Sequence, residues 1–390
     1  MTRRVAITGV GVIANCGQGK DAFWQGLLDG PPAHGFDVVD FDPLPYFDNP
    51  KEARRSDRFT HFALAATHEA LEQAGELTAD PARIGCWIGT GVGGIATLED
   101  QVETFVTKGP RRVSPFLVPM MMANAATASI SMKYGFEGPC ENTVTACAAG
   151  THSIGRAADL IKYGRCDAVI TGGSEATRTP VAMQGFINMT ATSSSGISRP
   201  FDVDRDGFMH TEAAGILVLE EWDMAVGRGA TILGEVLGSG STADAHHITA
   251  PAPGGAGAVR CMELAMQDAG ITADGVGHIN AHGTSTPLND AAEAEAVAKV
   301  FGTPGPLLTS TKGVTGHALG AAGAIEAVAV VLSIQHRLVP PTHGFANADP
   351  DLPSINLVVG EPAEWEPGPA LSNSFGFGGH NGTLVLAPPN

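Results

Sequence analysis

Two kinds of apolar pattern alternate along the chain, and the alternation sets the first expectation. Residues 5–7, 84–88, 168–171 and 216–219 form short, continuously apolar runs, which predict buried strands. Longer stretches with apolar positions at helical spacing lie between such runs; in 147–163 those positions are Ile154, Ala158 and Ile161. Strands alternating with helices predict an α/β fold. Cys147 falls where a strand gives way to a helix. The start, Arg3-Arg4 followed by an apolar run and Cys16, superficially mimics a signal peptide or a lipidation site. Gly9, Gly11 and the β-branched residues around them fit a first buried strand ending in a glycine turn better. No run is expected to reach the roughly 18 apolar residues of a membrane span, so the expected location is the cytoplasm.

The pattern also repeats. Ala70-Leu-Glu-Gln-Ala-Gly-Glu-Leu-Thr-Ala-Asp80 leads to Ile84-Gly-Cys-Trp-Ile-Gly-Thr90, and Ala265-Met-Gln-Asp-Ala-Gly-Ile-Thr-Ala-Asp274 leads to His278-Ile-Asn-Ala-His-Gly-Thr284. Each time a helix ends at Ala-Gly and a strand then delivers Gly-Thr. Cys147-Ala-Ala-Gly-Thr-His-Ser-Ile and Gly320-Ala-Ala-Gly-Ala-Ile-Glu-Ala are a looser echo. Two similar halves, 1–240 and 241–390, are expected to pack about a pseudo-twofold with a site at their junction. The join is placed in the glycine- and serine-rich Leu237-Gly-Ser-Gly-Ser-Thr.

Composition narrows the function classes. The chain is 43% hydrophobic and 16% charged with 50 glycines, a well-buried protein with many tight turns. A net charge of -18 argues against nucleic acid or an anionic membrane as partner. The cysteines at 16, 86, 140, 147, 166 and 261 include no Cys-x-x-Cys pair, which fits free thiols in a reducing compartment.

Four stretches carry chemistry. In Asn142-Thr-Val-Thr-Ala-Cys147-Ala-Ala-Gly150 a cysteine at a helix start is expected to have a lowered pKa and a nucleophilic thiolate, with small neighbours leaving room for a carbonyl. Asn280-Ala-His282-Gly-Thr-Ser-Thr286-Pro and Ser310-Thr-Lys312-Gly-Val-Thr-Gly-His317 each set a histidine in a glycine- and threonine-rich turn, where a neutral imidazole can donate to a developing oxyanion. Ser372-Asn-Ser-Phe375-Gly-Phe377-Gly-Gly-His-Asn381-Gly reads as a mobile loop and not an ordinary strand, with a packed β-bulge as the alternative. Gly89-Thr-Gly-Val-Gly-Gly94 matches a dinucleotide fingerprint, but no acidic residue is placed for a ribose, so close backbone packing is the expectation. Zinc is the poorer reading because no paired cysteines occur.

These four blocks, in this order and spacing, resemble the β-ketoacyl-[acyl carrier protein] synthases of the thiolase-like condensing-enzyme superfamily. Ser198-Arg-Pro-Phe-Asp-Val-Asp-Arg-Asp-Gly207, Leu217-Val-Leu-Glu-Glu221 and Asp244-Ala-His-His-Ile-Thr249 extend the likeness to the fatty-acid elongation branch. The resemblance implies duplicated α/β halves in a layered αβαβα core, with Cys147 and the two histidines contributed by opposite halves. It implies that Cys147 accepts the acyl chain and that its N–H and that of Phe377 form the oxyanion hole. His282 and His317 would hold the malonyl thioester oxygen, and Lys312 paired with Glu326 would position them. Thr284 and Thr286 match phosphopantetheine contacts; Phe375, Val92 and Thr249 match substrate-lining positions, and Leu117 and Met120-Met-Met122 match a segment lining a neighbouring subunit's pocket. Asn280, Glu326, Ser372 and Asn373 match a group that encloses a monovalent cation in some relatives. No tightly bound cofactor is implied.

The implied partner is an acyl carrier protein, with a homodimer or a heterodimer with a chain-length-factor paralogue. Lys51, Arg54, Arg55 and Arg58 fall at i, i+3, i+4 and i+7 of one expected helix face, and Lys108, Arg111 and Arg112 form a second basic cluster suited to an acidic carrier. His210, Ala213, His246, His380 and a shortened 186–198 stretch depart from the pattern and favour a polyketide or polyene substrate as the alternative to a fatty acid. A coenzyme A thiolase is disfavoured by Lys312 and the paired histidines, and a non-catalytic chain-length subunit by Cys147.

Overall fold

The computed structural model describes residues 2–390. The first half supplies strands β1 (Val5–Ala14), β2 (Ile84–Gly89), β3 (Cys140–Thr143), β4 (Ala168–Glu175) and β5 (Ala213–Glu221), with helices α1 (Arg58–Ala74), α2 (Ile95–Lys108) and α3 (Ala149–Lys162). The second half supplies β6 (Gly234–Ala243), α4 (Ala256–Ala269), β7 (His278–Asn280), α5 (Pro287–Phe301), β8 (Leu307–Thr309), α6 (Ala322–His336), β9 (Asn356–Leu357), β10 (Ala370–Gly376) and β11 (His380–Ala387).

In space the strands run β3-β2-β4-β5-β1 and continue β6-β11-β10-β7-β8-β9. Leaving aside the short β9 and reading inward from each end, both halves follow the order third, second, fourth, fifth, first. Directions agree as well. In the first half β2 is parallel to β3 and β4, and β5 is antiparallel to β4 and β1. In the second, β7 is parallel to β8 and β10, and β11 is antiparallel to β10 and β6. The two sets join only where Ala6 pairs with Glu235 and Ile7 with Gly234. This is the duplicated α/β architecture expected from the repeat.

Close helix–strand contact explains where the repeat shows in the sequence. A Cβ on Gly11 would lie 2.0 Å from the carbonyl oxygen of Ala66 in α1, and one on Gly240 would lie 2.2 Å from that of Cys261 in α4. Each first strand carries glycine so that its covering helix can rest on bare backbone. The glycine- and serine-rich stretch at 237–242 is therefore the inside of β6, not a linker.

α3 and α6 pack on each other and on strands of both halves, sharing one core with Val5, Leu217, Leu219 and Leu384. Contrary to expectation, one segment, Leu319–His336, has the length and apolar character of a membrane span, but 89% of it is buried in the fold. A helix apolar all round belongs in a core. The Phe-Gly stretch also differs from its reading. Residues 372–376 lie inside β10, all paired with β11 and Ser372 also with β7, and only 377–379 form the turn, with φ of +83° at Gly378 and +73° at Gly379. Pairing with β11 supplies what the local sequence lacks.

Candidate active site

Cys147 sits in a 3-10 turn, Ala146–Ala148, between β3 and α3, so the sulfur precedes the helix instead of lying in its first turn. Ala146 is held at φ +49°, a sparsely populated conformation for alanine that marks a sharp elbow. Burial pushes the thiol up to about 11, against the downward pull of the Phe377 N–H, of Lys312 and of its own N–H; Glu175 adds to the rise. The expected lowering is reversed because loss of water outweighs the helix start. Two backbone N–H groups nevertheless point at the sulfur. Gly376 makes this approach possible, since a Cβ there would stand 3.0 Å from the Cys147 nitrogen.

The turn after β7 and the segment that leads into α6 bring in the histidines. Nε2 of His317 lies 3.1 Å from Sγ, and the His282 and His317 rings meet edge to face with centroids 5.3 Å apart. The donor atoms of Cys147, His282 and His317 all lie within 4.8 Å of one another. A small metal ion would accept that spacing too, which sequence spacing did not reveal because the donors come from three distant segments; a thiol held protonated is a poor ligand for one. Burial first, then Lys312, holds both imidazoles well below the usual histidine range, so both are neutral at pH 7.

Lys312 is 1% exposed and ion-paired with Glu326 of α6. Its Nζ also donates to the His282 carbonyl at 2.6 Å and lies 3.4 Å from His282 Nδ1. Burial pushes Glu326 up to about 7 while Lys312 pulls it back. Two further buried carboxylates, missed in the sequence, shape the histidine turn. Glu293 accepts the N–H groups of His282 and Gly283 at 2.8 and 2.7 Å, and Asp290 accepts those of Thr284 and Ser285 at 2.9 and 3.1 Å. The signal was present: acids one turn apart on α5, an otherwise alanine-rich helix, straight after Thr-Ser-Thr-Pro.

A cavity of about 340 Å³ opens over the sulfur. His282, His317, Thr249, Thr284, Thr286, Phe375 and Phe377 all line it, and so do Phe208 and Leu319, which the sequence did not single out. Val92 lies outside this cavity and is 47% exposed. Leu117 and Met120 are half-buried and Met122 is exposed, in or beside the surface helix Leu117–Met121.

The cation group divides. Asn280 and Ser372 are neighbours on β7 and β10, and the side-chain polar atoms of both, with Oε2 of Glu326, are buried without a partner among the described residues. Hard oxygens left unpaired in this way fit a monovalent ion. Asn373 does not, because its Oδ1 already accepts from Thr383 at 2.8 Å.

The basic clusters are only partly as expected. The helix is broken: Pro50–Ala53 ends before Asp57 caps α1, so Lys51, Arg54, Arg55 and Arg58 do not share one helical face. Arg58 is tied to Glu212 by a two-pronged bond and is not free. Lys51, Arg54, Arg55, Lys108, Arg111 and Arg112 are exposed. Arg55 lies 4.3 Å from the centre of the Phe116 ring, which draws the first cluster toward the segment that follows Arg111 and Arg112. Of the departures, His210 is buried against Thr177, whereas His246 is exposed and His380 half-buried.

Comparison with known proteins agrees with this arrangement. Residues 34–225 match the beta-ketoacyl synthase N-terminal domain and residues 233–346 the beta-ketoacyl synthase C-terminal domain. The chain is 45% identical to 3-oxoacyl-[acyl-carrier-protein] synthase 2 of Synechocystis sp., covering 98% of each chain. Among solved structures, the ishigamide ketosynthase/chain length factor superposes with a TM-score of 0.94 at 32% identity, covering 100% of both chains. A type II PKS acyl-carrier protein in complex with its ketosynthase bound to the hexaketide gives 0.91 at 31%, again over 100% of both. A family model that spans both halves, and a relative this similar over nearly the whole length, leave one conclusion: the chain belongs to the beta-ketoacyl synthase family.

Proposed function

We propose that the protein is a β-ketoacyl-[acyl carrier protein] synthase that lengthens a carrier-bound acyl chain by two carbons. The observation that carries this reading is one thiol and two neutral imidazoles within 4.8 Å, at the floor of a cavity lined by Thr284 and Thr286. Sγ of Cys147 attacks the acyl thioester, His317 Nε2 takes its proton, and the carrier thiol leaves with that proton. The N–H groups of Cys147 and Phe377 hold the oxyanion. Malonyl-carrier then enters; its carbon–carbon bond breaks, carbon dioxide departs, and His282 and His317 donate to the enolate oxygen. The enolate carbon bonds to the acyl carbonyl, and the Cys147 thiolate is released and takes up a proton from solvent. A monovalent cation held by Asn280, Ser372 and Glu326 would fix these strand ends without entering the reaction.

Incubation with malonyl-carrier and a panel of acyl primers, read by mass spectrometry, should give β-ketoacyl-carrier two carbons longer with loss of one carbon dioxide. Product formed equally well from coenzyme A thioesters would refute the carrier-specific reading. The same chemistry in a polyketide assembly is the second reading, favoured by the close superposition on the ishigamide ketosynthase/chain length factor; the primer and chain-length profile of this panel separates the two.

The carrier is taken to dock on Lys51, Arg54, Arg55, Arg111 and Arg112, none of which pairs with a carboxylate among the described residues. Replacing Arg54, Arg55 and Arg111 by glutamate should raise KM for acyl-carrier by about 10–100-fold at low salt, with the gap closing as ionic strength rises. A pantetheine thioester, which carries no protein, should be used as well as before. The exposed apolar residues Val92, Val102, Phe105, Val106, Val118 and Met132 support a second subunit, a copy or a chain-length paralogue, that covers them.

A further inference from the structure

The nucleophile elbow occurs twice in this fold. Ala146 at φ +49° opens the 3-10 turn Ala146–Ala148 ahead of α3, and Leu319 at φ +45° opens the 3-10 turn Leu319–Ala321 ahead of α6. Gly320 therefore stands where Cys147 stands in the other half. It has no side chain to react. Its N–H is not idle, because it donates to Oε2 of Glu175 at 3.1 Å.

Glu175 ends β4 and is completely buried. Oε2 also accepts the N–H of Gly91 at 2.5 Å, and Oε1 accepts the hydroxyl of Thr90 at 3.1 Å. No basic side chain pairs with it among the described residues. Burial pushes its carboxyl up to about 7 against the pull of these donors. The joint leaves no slack: a Cβ on Gly320 would fall 2.1 Å from the Gly91 nitrogen. The donors also explain why Gly89-Thr-Gly-Val-Gly-Gly94 needs no dinucleotide, since its first free N–H is already bound to an internal carboxylate.

We propose that Glu175 is a positioning residue for the condensation: its carboxylate fills the silent second elbow and clamps the turn that follows His317 and carries Leu319 to the Thr90–Gly91 turn of the other half. His317 and the cavity wall are thereby fixed relative to Cys147, which hangs from the same first half as Glu175 and feels its charge. A displacement of about 1 Å between such groups costs on the order of 100-fold in rate. The proposal rests on the ketosynthase reading only for the reaction it serves.

The test compares wild type with Glu175→Gln and Glu175→Ala, each normalised to the Cys147 that iodoacetamide can titrate. Glu175→Gln keeps the shape but turns an amide N–H toward donors, so kcat for condensation should fall about 10–100-fold while KM for malonyl-carrier stays within about twofold. Formate, the missing carboxylate, should restore activity to Glu175→Ala and leave wild type unchanged. Removing the opposing charge should also speed alkylation of Cys147 in Glu175→Gln at pH 8. A variant with lowered thermal stability but wild-type kcat and alkylation rate would overturn the proposal. Should wild type itself make no β-ketoacyl product, the ketosynthase reading fails, and an unchanged alkylation rate would still sink the clamp. If Glu175→Gln does not fold, Thr90→Val, which removes one bond to the carboxylate, should give a smaller loss of the same kind; no loss would count against it.

Discussion

Cys147→Ala should abolish acyl transfer while leaving the rest of the site standing. Cys147 is 5% exposed, and among the described residues its sulfur has no hydrogen-bonding partner but His317 and two backbone N–H groups, so an alanine fits the same elbow without a clash. Loss of a covalent nucleophile costs on the order of 10⁴-fold or more, and what survives comes from binding and oxyanion donors alone. Glu293 and Lys312 hold the His282 backbone, and Met209 and Thr211 hold that of His317, so loss of carbon dioxide from malonyl-carrier should persist in the variant. Mass spectrometry of the intact protein after incubation with labelled acyl-carrier is the measurement: one acyl group on wild type, none on Cys147→Ala. An acylated variant would place the nucleophile elsewhere. The thiol's own titration gives a second readout. Held up at about 11, it is almost wholly protonated at pH 7, so iodoacetamide should react faster by nearly tenfold per pH unit from 7 to 10, with no plateau near 8.

How much of this was legible beforehand differs from residue to residue. Strand and helix alternation, and the repeat of Ala-Gly helix ends, were written in local patterns, and the sheet reproduces them as one topology used twice. Local pattern failed wherever a distant neighbour decided the outcome. The 237–242 stretch has loop composition but is strand because α4 lies on it, and Phe375 and Gly376 are strand because β11 pairs with them. Proximity of Cys147 to His282 and His317 was expected through a family resemblance, not from spacing, since the three are far apart in the chain. The sign of the Cys147 shift was misread because a helix start is visible in sequence and the depth of burial is not. Glu175, Asp290 and Glu293 were missed for a related reason. Their partners are backbone N–H groups, which every sequence position offers equally.

Lys312→Ala should be the most damaging change away from the sulfur, and it should damage stability and catalysis by separable routes. Glu326 would be left on α6 without its ammonium partner, both groups having been 1% exposed, and stranding one partner of such a pair costs about 3–5 kcal/mol. The cost has a pH signature. Glu326 already sits at about 7 against an ordinary 4.5, and losing Lys312 raises it further. A carboxyl whose folded pKa exceeds its unfolded one binds its proton more tightly in the native state, so stability falls as pH rises between the two values. The Tm deficit of Lys312→Ala should accordingly widen from pH 5.5 to pH 8; a deficit that narrows instead would refute the pairing. Adding Glu326→Leu removes the stranded acid and should recover most of the lost stability, because a well-packed apolar residue replaces a buried charge at little cost. Condensation should not recover with it. Lys312 also holds the His282 carbonyl at 2.6 Å, and the double variant leaves that turn without its anchor. A double variant that regains both stability and turnover would show that the ion pair serves packing alone and that His282 is positioned by Glu293 without it.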